Sequence, residues 1–349
     1  MTIASRPLGG SLDSLPPAFS AEAVAGLVQA HWGLTGALSP LTSERDLNHH
    51  LRGAQGQFVV KIANLAEGHA VQRMQNRALR HIAARDATLP VPRVVPTLDG
   101  TDDVVLTDGH LMRVLSWLEG TPLHAAPQSA AQSVALAEML ARLTRALQGF
   151  DDPAAGHVLQ WDIKNAGQLI EILSDIHDAE ARLLCVGALE RFEANVAPVL
   201  PDLRWQVVHS DLNPHNVLMG ADPDRVAGIL DFGDMVRTPL VCDLAVAAAY
   251  RIDRADPLRS LVDFAAAYHR VNPLTAGELR VYFDLVAARM VTTIAIASWR
   301  AARYPDNAAY ILRNFPSARA GLSALASLDR DAVAAALDRA CPVRAAEQE

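Results

Sequence analysis

The sequence from His209 to Asp234, HSDLNPHNVLMGADPDRVAGILDFGD, decides how this chain folds. Residues 217–219 and 226–230 are apolar and flank a segment rich in Gly, Asp and Pro, which predicts two strands joined by a turn. Asn216 comes just before the first strand and Asp231 just after the second. Because the strands of a hairpin run antiparallel, we expect these two side chains to lie next to each other.

Asp211 lies on the loop that leads into this hairpin, after a short apolar strand predicted at residues 205–208. An amide oxygen and a carboxylate that converge suit a hard cation such as Mg²⁺, which also takes ligands from substrate phosphates. Asp residues often cap turns, which would explain Asp211 or Asp231 singly but not the ordered set of His, Asp, Asn and Asp-Phe-Gly. The spacing therefore predicts a metal site at Asn216 and Asp231, with Asp211 beside it.

The composition is that of a globular protein. Half of the 349 residues are apolar and 20% are charged, enough for one large domain or two packed domains. The 31 basic and 39 acidic residues give a net charge of −8, which disfavours a nucleic-acid partner. The cysteines Cys185, Cys242 and Cys341 lack the spacing of a metal site, and we expect free buried thiols in a reducing compartment.

The sequence shows no targeting or membrane segment by the usual criteria. The N-terminus lacks a basic start followed by an apolar run. The longest apolar stretches, such as residues 240–250, fall short of the roughly 20 residues of a transmembrane helix and include Asp243. We therefore expect a cytoplasmic protein without a membrane partner, and the sequence leaves its oligomeric state open.

The character of the sequence changes from strands to helices along the chain. Strands at 48–51 and 58–62 flank the turn Gly53–Gly56, which predicts a hairpin, and a longer strand is predicted at 111–118. After Gly120 the periodicity is helical. Helices are predicted at residues 68–84, 129–148, 178–196, 240–250, 258–270 and 275–303.

This layout predicts an α+β, bilobal fold. A small N-terminal lobe with an antiparallel sheet is expected at residues 18–117, and a larger, mostly helical C-terminal lobe at residues 118–341. Residues 1–17 and 342–349 are expected to be flexible ends. The hinge between the lobes is placed near residues 113–120.

Together these features resemble the aminoglycoside phosphotransferase-like kinases, which have a protein-kinase-like fold and include homoserine, choline and hydroxylysine kinases. The resemblance covers residues 25–315 and is tightest at the catalytic stretch. The runs Ser43-Glu-Arg-Asp-Leu-Asn48 and Phe58-Val-Val-Lys-Ile-Ala-Asn64 are most similar to hydroxylysine kinase and its bacterial relatives.

The resemblance implies a kinase that transfers the γ-phosphoryl group of ATP or GTP to a hydroxyl group of a small amino-bearing metabolite. The expected acceptor is 5-hydroxylysine; homoserine, another amino alcohol or an aminoglycoside are alternatives, and a regulatory pseudokinase is the alternative from another class. Asp211 would accept or orient the proton of the acceptor hydroxyl, and Asn216 and Asp231 would hold Mg²⁺.

The resemblance also implies a nucleotide site. Lys61 would pair with the α- and β-phosphates, and the backbone of Ser116 and Leu118 would contact the base. The alternative for Lys61 is an edge-strand lysine that prevents aggregation.

Two departures from the family pattern affect this nucleotide site. Protein kinases pair the strand lysine with a helix glutamate, whereas the aligned residue here is Gln75, followed by Asn76. We expect Gln75 to hold Lys61 by a hydrogen bond, with Asn76 as the next candidate. The loop over the phosphates, residues 42–46, contains no glycine, so Ser43 and Arg45 are expected to supply its contacts.

Several nearby polar residues have structural or substrate roles as alternatives. His209 is expected to brace the catalytic loop, and Asp243 to cap a helix and brace the same loop. Asp234 is a candidate for contact with metal or substrate. The candidates for the acceptor pocket, which could equally be a core aromatic with solvated arginines, are Trp299, Arg300, Arg303 and Tyr304.

Overall fold

The computed structural model of the protein describes residues 16–43 and 45–343. Of the two ends predicted to be flexible, residues 1–15 and 344–349 lie outside the described residues, as does Glu44 in the loop over the phosphates.

An antiparallel sheet forms the N-terminal lobe. Its strands are β1 (Ala37–Leu41), β2 (Leu47–Gly53), β3 (Gly56–Ile62), β4 (Val94–Val95), β5 (Val104–Val105) and β6 (Leu111–Ser116). They lie in the order β1-β2-β3-β6-β4, and β5 also pairs with β6. The β2–β3 register closes at Gly53 opposite Gly56, which confirms the predicted hairpin. The sequence does not predict β1, because Pro40 argues against a strand in this segment. A strand with proline is tolerated here because β1 lies at the edge of the sheet.

Two helices cover the faces of this sheet, α1 (Ala21–Trp32) and α2 (His69–Arg85). Val24 and Val28 of α1 pack with Val60 of β3 in one apolar cluster. Alternate residues of a strand point to opposite faces, so Lys61 projects from the other face. Arg113, which lies opposite Lys61 on β6, hydrogen-bonds α2 on that face.

Helices make up most of the C-terminal lobe. They are α3 (Ala130–Ala146), α4 (Ala179–Asn195), α5 (Leu240–Ala249), α6 (Pro257–Val271), α7 (Ala276–Arg303), α8 (Ala308–Ile311), α9 (Phe315–Ala326) and α10 (Arg330–Ala340), with 3₁₀ segments at Leu123–Ala125, Pro153–Gly156, Ile163–Asp175, Ala197–Asp202, Pro305–Asn307 and Leu312–Asn314. One small sheet consists of β7 (Thr121–Pro122), β9 (Val217–Met219) and β10 (Val226–Ile229), and another of β8 (Trp205–Val208) and β11 (Val236–Pro239). The predicted α+β bilobal architecture is confirmed. The three cysteines are free and buried, as expected.

The central helix of the C-terminal lobe is α7. Thr275 and Glu278 form the predicted capping box at its start. Among the described helices it alone has the length and apolar composition of a membrane span, but that apolar window is entirely buried within the protein. The sequence shows no uninterrupted apolar run there because Asp284 and Arg289 lie inside the helix, where both side chains are buried.

Candidate active site

Hydrogen bonds on both sides hold the loop between β8 and β9 that carries Asp211. Ser210 has a φ of 65°, a left-handed conformation that is unfavourable for a residue with a side chain. Its N–H donates to Asp243 Oδ1 at 2.8 Å. His209 Nδ1 accepts from the Asp211 N–H at 3.2 Å, and its Nε2 donates to the Leu230 carbonyl at 2.9 Å. Both nitrogens of a neutral His209 are therefore used to brace the loop, as predicted.

Asp243 also braces this loop, but it is not a helix cap. It lies in the first turn of α5, whose N-cap is Pro239. Its side chain is buried, and burial raises the pKa of Asp243. The loop thus binds a carboxylate that projects from a helix packed beneath it.

Asp211 faces two amides and one guanidinium. Its Oδ2 accepts hydrogen bonds from the side-chain NH₂ groups of Asn213 at 2.9 Å and Asn216 at 2.8 Å. Its Oδ1 lies 3.1 Å from Arg289 Nη2. Burial, and then the charge of Asp234, raise the pKa of Asp211 to about 7, although Arg289 opposes this shift. A carboxylate with this pKa is suited to take a proton from a hydroxyl group near neutral pH.

Arg289 is a residue of this site that the sequence analysis does not identify. Arg289 lies in α7, and its side chain is 4% exposed. It donates to the Tyr250 hydroxyl at 2.9 Å and to the Trp161 carbonyl at 3.4 Å, and it lies 5.6 Å from both ring centroids. A buried guanidinium requires an acidic partner or several acceptors. An arginine within the apolar sequence of α7 is therefore the signal by which the sequence could have identified Arg289 as a site residue.

Asn216 and Asp231 lie at the adjacent ends of the β9–β10 hairpin. The Leu230 N–H donates to the Asn216 carbonyl at 2.7 Å, which joins the two strand ends. Asp231 has a φ of 56°, and its Oδ1 accepts from the Gly233 N–H at 3.1 Å. A Cβ atom at residue 233 would lie 3.0 Å from that oxygen, so a larger residue there would have to displace the Asp231 carboxylate by a few tenths of an ångström.

The chemistry of this pair fits a divalent cation. The Asn216 NH₂ group is turned toward Asp211, which leaves its amide oxygen for another ligand. The charge of Lys61 lowers the pKa of Asp231, which keeps that carboxylate ionised. Among the described residues no group of three His, Cys, Asp or Glu side chains could enclose a metal. A partial set of oxygen ligands suits Mg²⁺, which completes its shell with phosphates and water.

Lys61 bridges the two lobes. Its Nζ lies 3.7 Å from Asp46 Oδ2 in the loop over the phosphates and 3.9 Å from Asp231 Oδ1 in the C-terminal lobe. Lys61 thus stands between the carboxylate that would bind metal and the loop that would cover the nucleotide.

The prediction that Gln75 holds Lys61 is wrong. The Gln75 amide oxygen accepts a hydrogen bond from Arg113, and its NH₂ group donates to Glu67 Oε1 at 3.1 Å. The alternative, Asn76, also binds Arg113, with 2.9 Å between its Oδ1 and Nη1. The buried guanidinium of Arg113 on the neighbouring strand takes the amide oxygens of Gln75 and Asn76, because its desolvated charge must be compensated.

One cleft between the lobes brings most of these groups together. The predicted residues that line it are Ser43, Lys61, Gln75, Asp211 and Asp231. Asn216, Ser116 and Leu118 are not among its lining residues. Its further charged residues are Arg45, Asp46, Glu67, Asp234, Arg289, Arg300 and Arg313.

Residues 38–283 match the phosphotransferase enzyme family, APH. The chain belongs to this family. Hydroxylysine kinase of Mus musculus is 27% identical over 329 residues, which cover 86% of this chain and 87% of that protein. Homoserine kinase of Methylobacillus glycogenes is 30% identical over 252 residues, which cover 70% of this chain and 73% of that protein.

Solved structures share the fold of this chain. An amicoumacin kinase aligns with a TM-score of 0.65 and 13% identity over 90% of this chain and 97% of its own. A microcompartment-associated aminopropanol kinase aligns with a TM-score of 0.58 and 18% identity over 87% of this chain and 94% of its own. The family match and the kinase relatives make the protein a small-molecule kinase of this phosphotransferase family, and the solved structures share its protein-kinase-like fold.

The loop predicted to cover the phosphates contains no glycine and is held by side-chain contacts. Ser43 Oγ accepts from the Asp46 N–H at 3.2 Å, which forms a side-chain turn. Arg45 Nη2 lies 3.4 Å from Asp234 Oδ1 in the C-terminal lobe. The predicted phosphate contacts, Ser43 and Arg45, thus both face the cleft, and Arg45 already has an anionic partner.

At the predicted hinge, the N–H and hydroxyl groups of Ser116 form hydrogen bonds within the N-terminal lobe. Its N–H donates to the Arg93 carbonyl at 2.8 Å, and its Oγ accepts from the Arg93 N–H at 2.9 Å. The Leu118 N–H has no hydrogen-bond partner within residues 16–43 and 45–343. Of the two predicted base-binding positions, Leu118 therefore offers the available N–H donor.

The residues predicted near the acceptor separate into two groups. Arg300 and Asp234 line the cleft. Arg303 instead lies 3.3 Å from Asp175 and stacks on Trp299 at 4.0 Å from the ring centroid, at the exposed end of α7. Arg303 follows Arg300 by almost one helical turn, so the two side chains leave the helix in nearby directions and only packing separates their environments.

Proposed function

We propose that this kinase transfers the γ-phosphoryl group of ATP or GTP to the hydroxyl group of a small amino acid, with 5-hydroxylysine as the first candidate. Four hydroxylysine kinases are 24% to 27% identical and align with 85% to 93% of the chain. The observation that carries the proposal is a cleft that acidic and basic side chains line together with Asp211.

The residues of the cleft divide the chemistry among them. Asp211 accepts the proton of the acceptor hydroxyl, and Arg289 holds its carboxylate in place. Lys61 pairs with nucleotide phosphates as a mobile point charge. Asn216 and Asp231 are the residues that would hold Mg²⁺, which neutralises charge on the transferring phosphate when it is bound.

The charges of the cleft match an amino acid better than an aminoglycoside. An amino acid brings an ammonium group, which Asp234 can meet, and a carboxylate, which arginines bind with two hydrogen bonds. Arg289, Arg300 and Arg313 all line the C-terminal side of the cleft. An aminoglycoside carries several ammonium groups and no carboxylate, so these arginines would repel it.

A panel of acceptors tests this proposal. Mg²⁺-dependent consumption of ATP and of GTP is measured with 5-hydroxylysine, homoserine, an amino alcohol without a carboxylate, and kanamycin. We expect the highest kcat/KM with a hydroxy-amino acid and negligible turnover of kanamycin. Efficient turnover of kanamycin alone would overturn the acceptor class. Tight nucleotide binding without any acceptor-dependent turnover would instead favour a regulatory pseudokinase.

A further inference from the structure

A second cavity opens from the active-site cleft, and its walls are cationic. The two share the residues Tyr250, Arg289, Thr293 and Asn314. We call this second cavity the annex and define it by His124, His215, Arg251 and Arg254. Within the part of the chain that the structure describes, no Asp or Glu lines the annex.

Arg251 is a cation of the annex whose partners are all neutral. Its Nε donates to Ser133 Oγ at 2.9 Å, and its Nη2 lies 3.3 Å from both the Ser129 carbonyl and Gln132 Oε1. Burial lowers the pKa of Arg251, and no neighbouring carboxylate offsets that effect. The guanidinium is thus held in position while its charge remains uncompensated.

Arg289 carries an unused donor at the junction between the annex and the cleft. Its Nη2 binds Asp211 and Tyr250, but its buried Nε has no hydrogen-bond partner among the described residues. Buried donors without a partner are rare in proteins, so the Arg289 guanidinium at this junction is not fully compensated by its protein contacts.

Residues of the catalytic loop also line the annex. The ring centroids of His124 and His215 lie 4.2 Å apart, and the backbone N–H of His124 donates to the Pro214 carbonyl at 3.1 Å. His215 directly precedes Asn216 in the chain. A molecule that extends from Asp211 into the annex therefore stays next to the site of phosphoryl transfer.

We propose that the annex binds the carboxylate of the acceptor while the acceptor hydroxyl lies at Asp211. This inference rests on the proposed function and deepens it, because it limits the acceptor to hydroxy acids. Arg300 and Arg313 face a cleft that also contains Asp211 and Asp234, whereas Arg251 and Arg254 face no acid in the annex. The electrostatic attraction on an anionic group is strongest where the surrounding positive charge is uncompensated.

Binding of 5-hydroxylysine and its neutral carboxamide tests the annex. Calorimetry with a non-hydrolysable nucleotide and Mg²⁺ compares the wild type with Arg254→Gln and with a control, Arg182→Gln, which changes an exposed arginine of α4 that lines neither cavity. We expect the amide to bind the wild type about tenfold more weakly than the acid. Arg254→Gln should weaken binding of the acid by about tenfold and hardly change that of the amide, while the control matches the wild type.

Two results would overturn the inference. Equal affinity of the wild type for 5-hydroxylysine and its carboxamide would show that the annex does not bind the carboxylate. Loss of acid binding in Arg313→Gln, with Arg254→Gln unaffected, would place the carboxylate in the main cleft instead. Because Arg254 is exposed, its substitution leaves the packing of the lobe unchanged.

A separate titration distinguishes failure of this inference from failure of the proposed function. If 5-hydroxylysine neither binds nor turns over, the same proteins are titrated with glutarate, a dicarboxylate without an amine or hydroxyl group. Binding that weakens in Arg254→Gln but not in Arg182→Gln would sustain an anion site in the annex. No saturable binding, or equal weakening in both variants, would reject the annex as well.

Discussion

The catalytic loop and the surroundings of Lys61 are built from opposite kinds of interaction. At the loop, Asp211 binds Asn213 and Asn216, which follow it within five residues. Around Lys61, one carboxylate comes from Asp46 and the other from Asp231 in the opposite lobe. A sequence motif therefore predicts the loop well because its members bind each other, whereas the packing of the lobes decides the partners of Lys61.

The largest effect should come from Asp231, which pairs with Lys61 and is also a candidate metal ligand. Asp231→Asn should abolish turnover, because an amide is a weaker ligand for Mg²⁺ and no longer attracts Lys61. Measurement of kcat, with circular dichroism to verify folding, compares it with Asp202→Asn, which changes an exposed acid. A folded Asp231→Asn variant that keeps more than about a tenth of wild-type kcat would exclude Asp231 from the metal site.

Asp211→Asn should affect the catalytic loop alone. We expect kcat to fall by about 10²–10⁴, the usual scale for the loss of a general base. Nucleotide affinity should hardly change, since the hydrogen bonds of Asp211 stay within the C-terminal lobe. Single-turnover kinetics and nucleotide titration separate the two quantities. Lost nucleotide binding with kcat retained at saturation would contradict the assignment.

Gln75→Leu should affect the surroundings of Lys61 indirectly. It removes the acceptor of Arg113 Nη2 and the donor to Glu67 Oε1, while Arg113 keeps Asn76, and this should lower the free energy of unfolding by about 1–3 kcal/mol. The nucleotide KM should rise because Gln75 lines the cleft and holds Arg113 and Glu67 in place. The kcat should change little because Gln75 does not contact Lys61 directly. Urea unfolding and steady-state kinetics measure both.

Gln75→Glu serves as the matched variant. A glutamate can pair with Arg113 but brings a second negative charge toward Glu67, so we expect a smaller loss of stability than with leucine. Unchanged stability in Gln75→Leu would show that the network around Arg113 does not depend on Gln75.

The smallest effect concerns the pH dependence of the catalytic loop. Asp211 must be ionised to accept a proton, so kcat/KM should rise with pH around the pKa of about 7 that burial and Asp234 produce. Asp234→Asn removes a like charge, which favours the ionised form of Asp211, so the midpoint should move to lower pH. Profiles of Asp234→Asn and the control Asp202→Asn test this. A midpoint that stays in place or moves upward would show that Asp234 does not influence Asp211.

The fold could be predicted where periodicity and turn chemistry act locally. The hairpins at Gly53–Gly56 and around residues 220–225 follow from glycine, proline and aspartate between apolar strands. The 3₁₀ segment Ile163–Asp175 was missed, as were α9 and α10, which are short and rich in alanine.

The sequence by itself determined the catalytic hairpin and the meeting of Asn216 with Asp231, because backbone pairing and turn geometry act over a few residues. Only the tertiary structure decided that Arg289 binds Asp211, and that Gln75 accepts a hydrogen bond from Arg113 instead of one from Lys61. Partners of buried charges are chosen by desolvation, and desolvation depends on which distant helices and strands pack together.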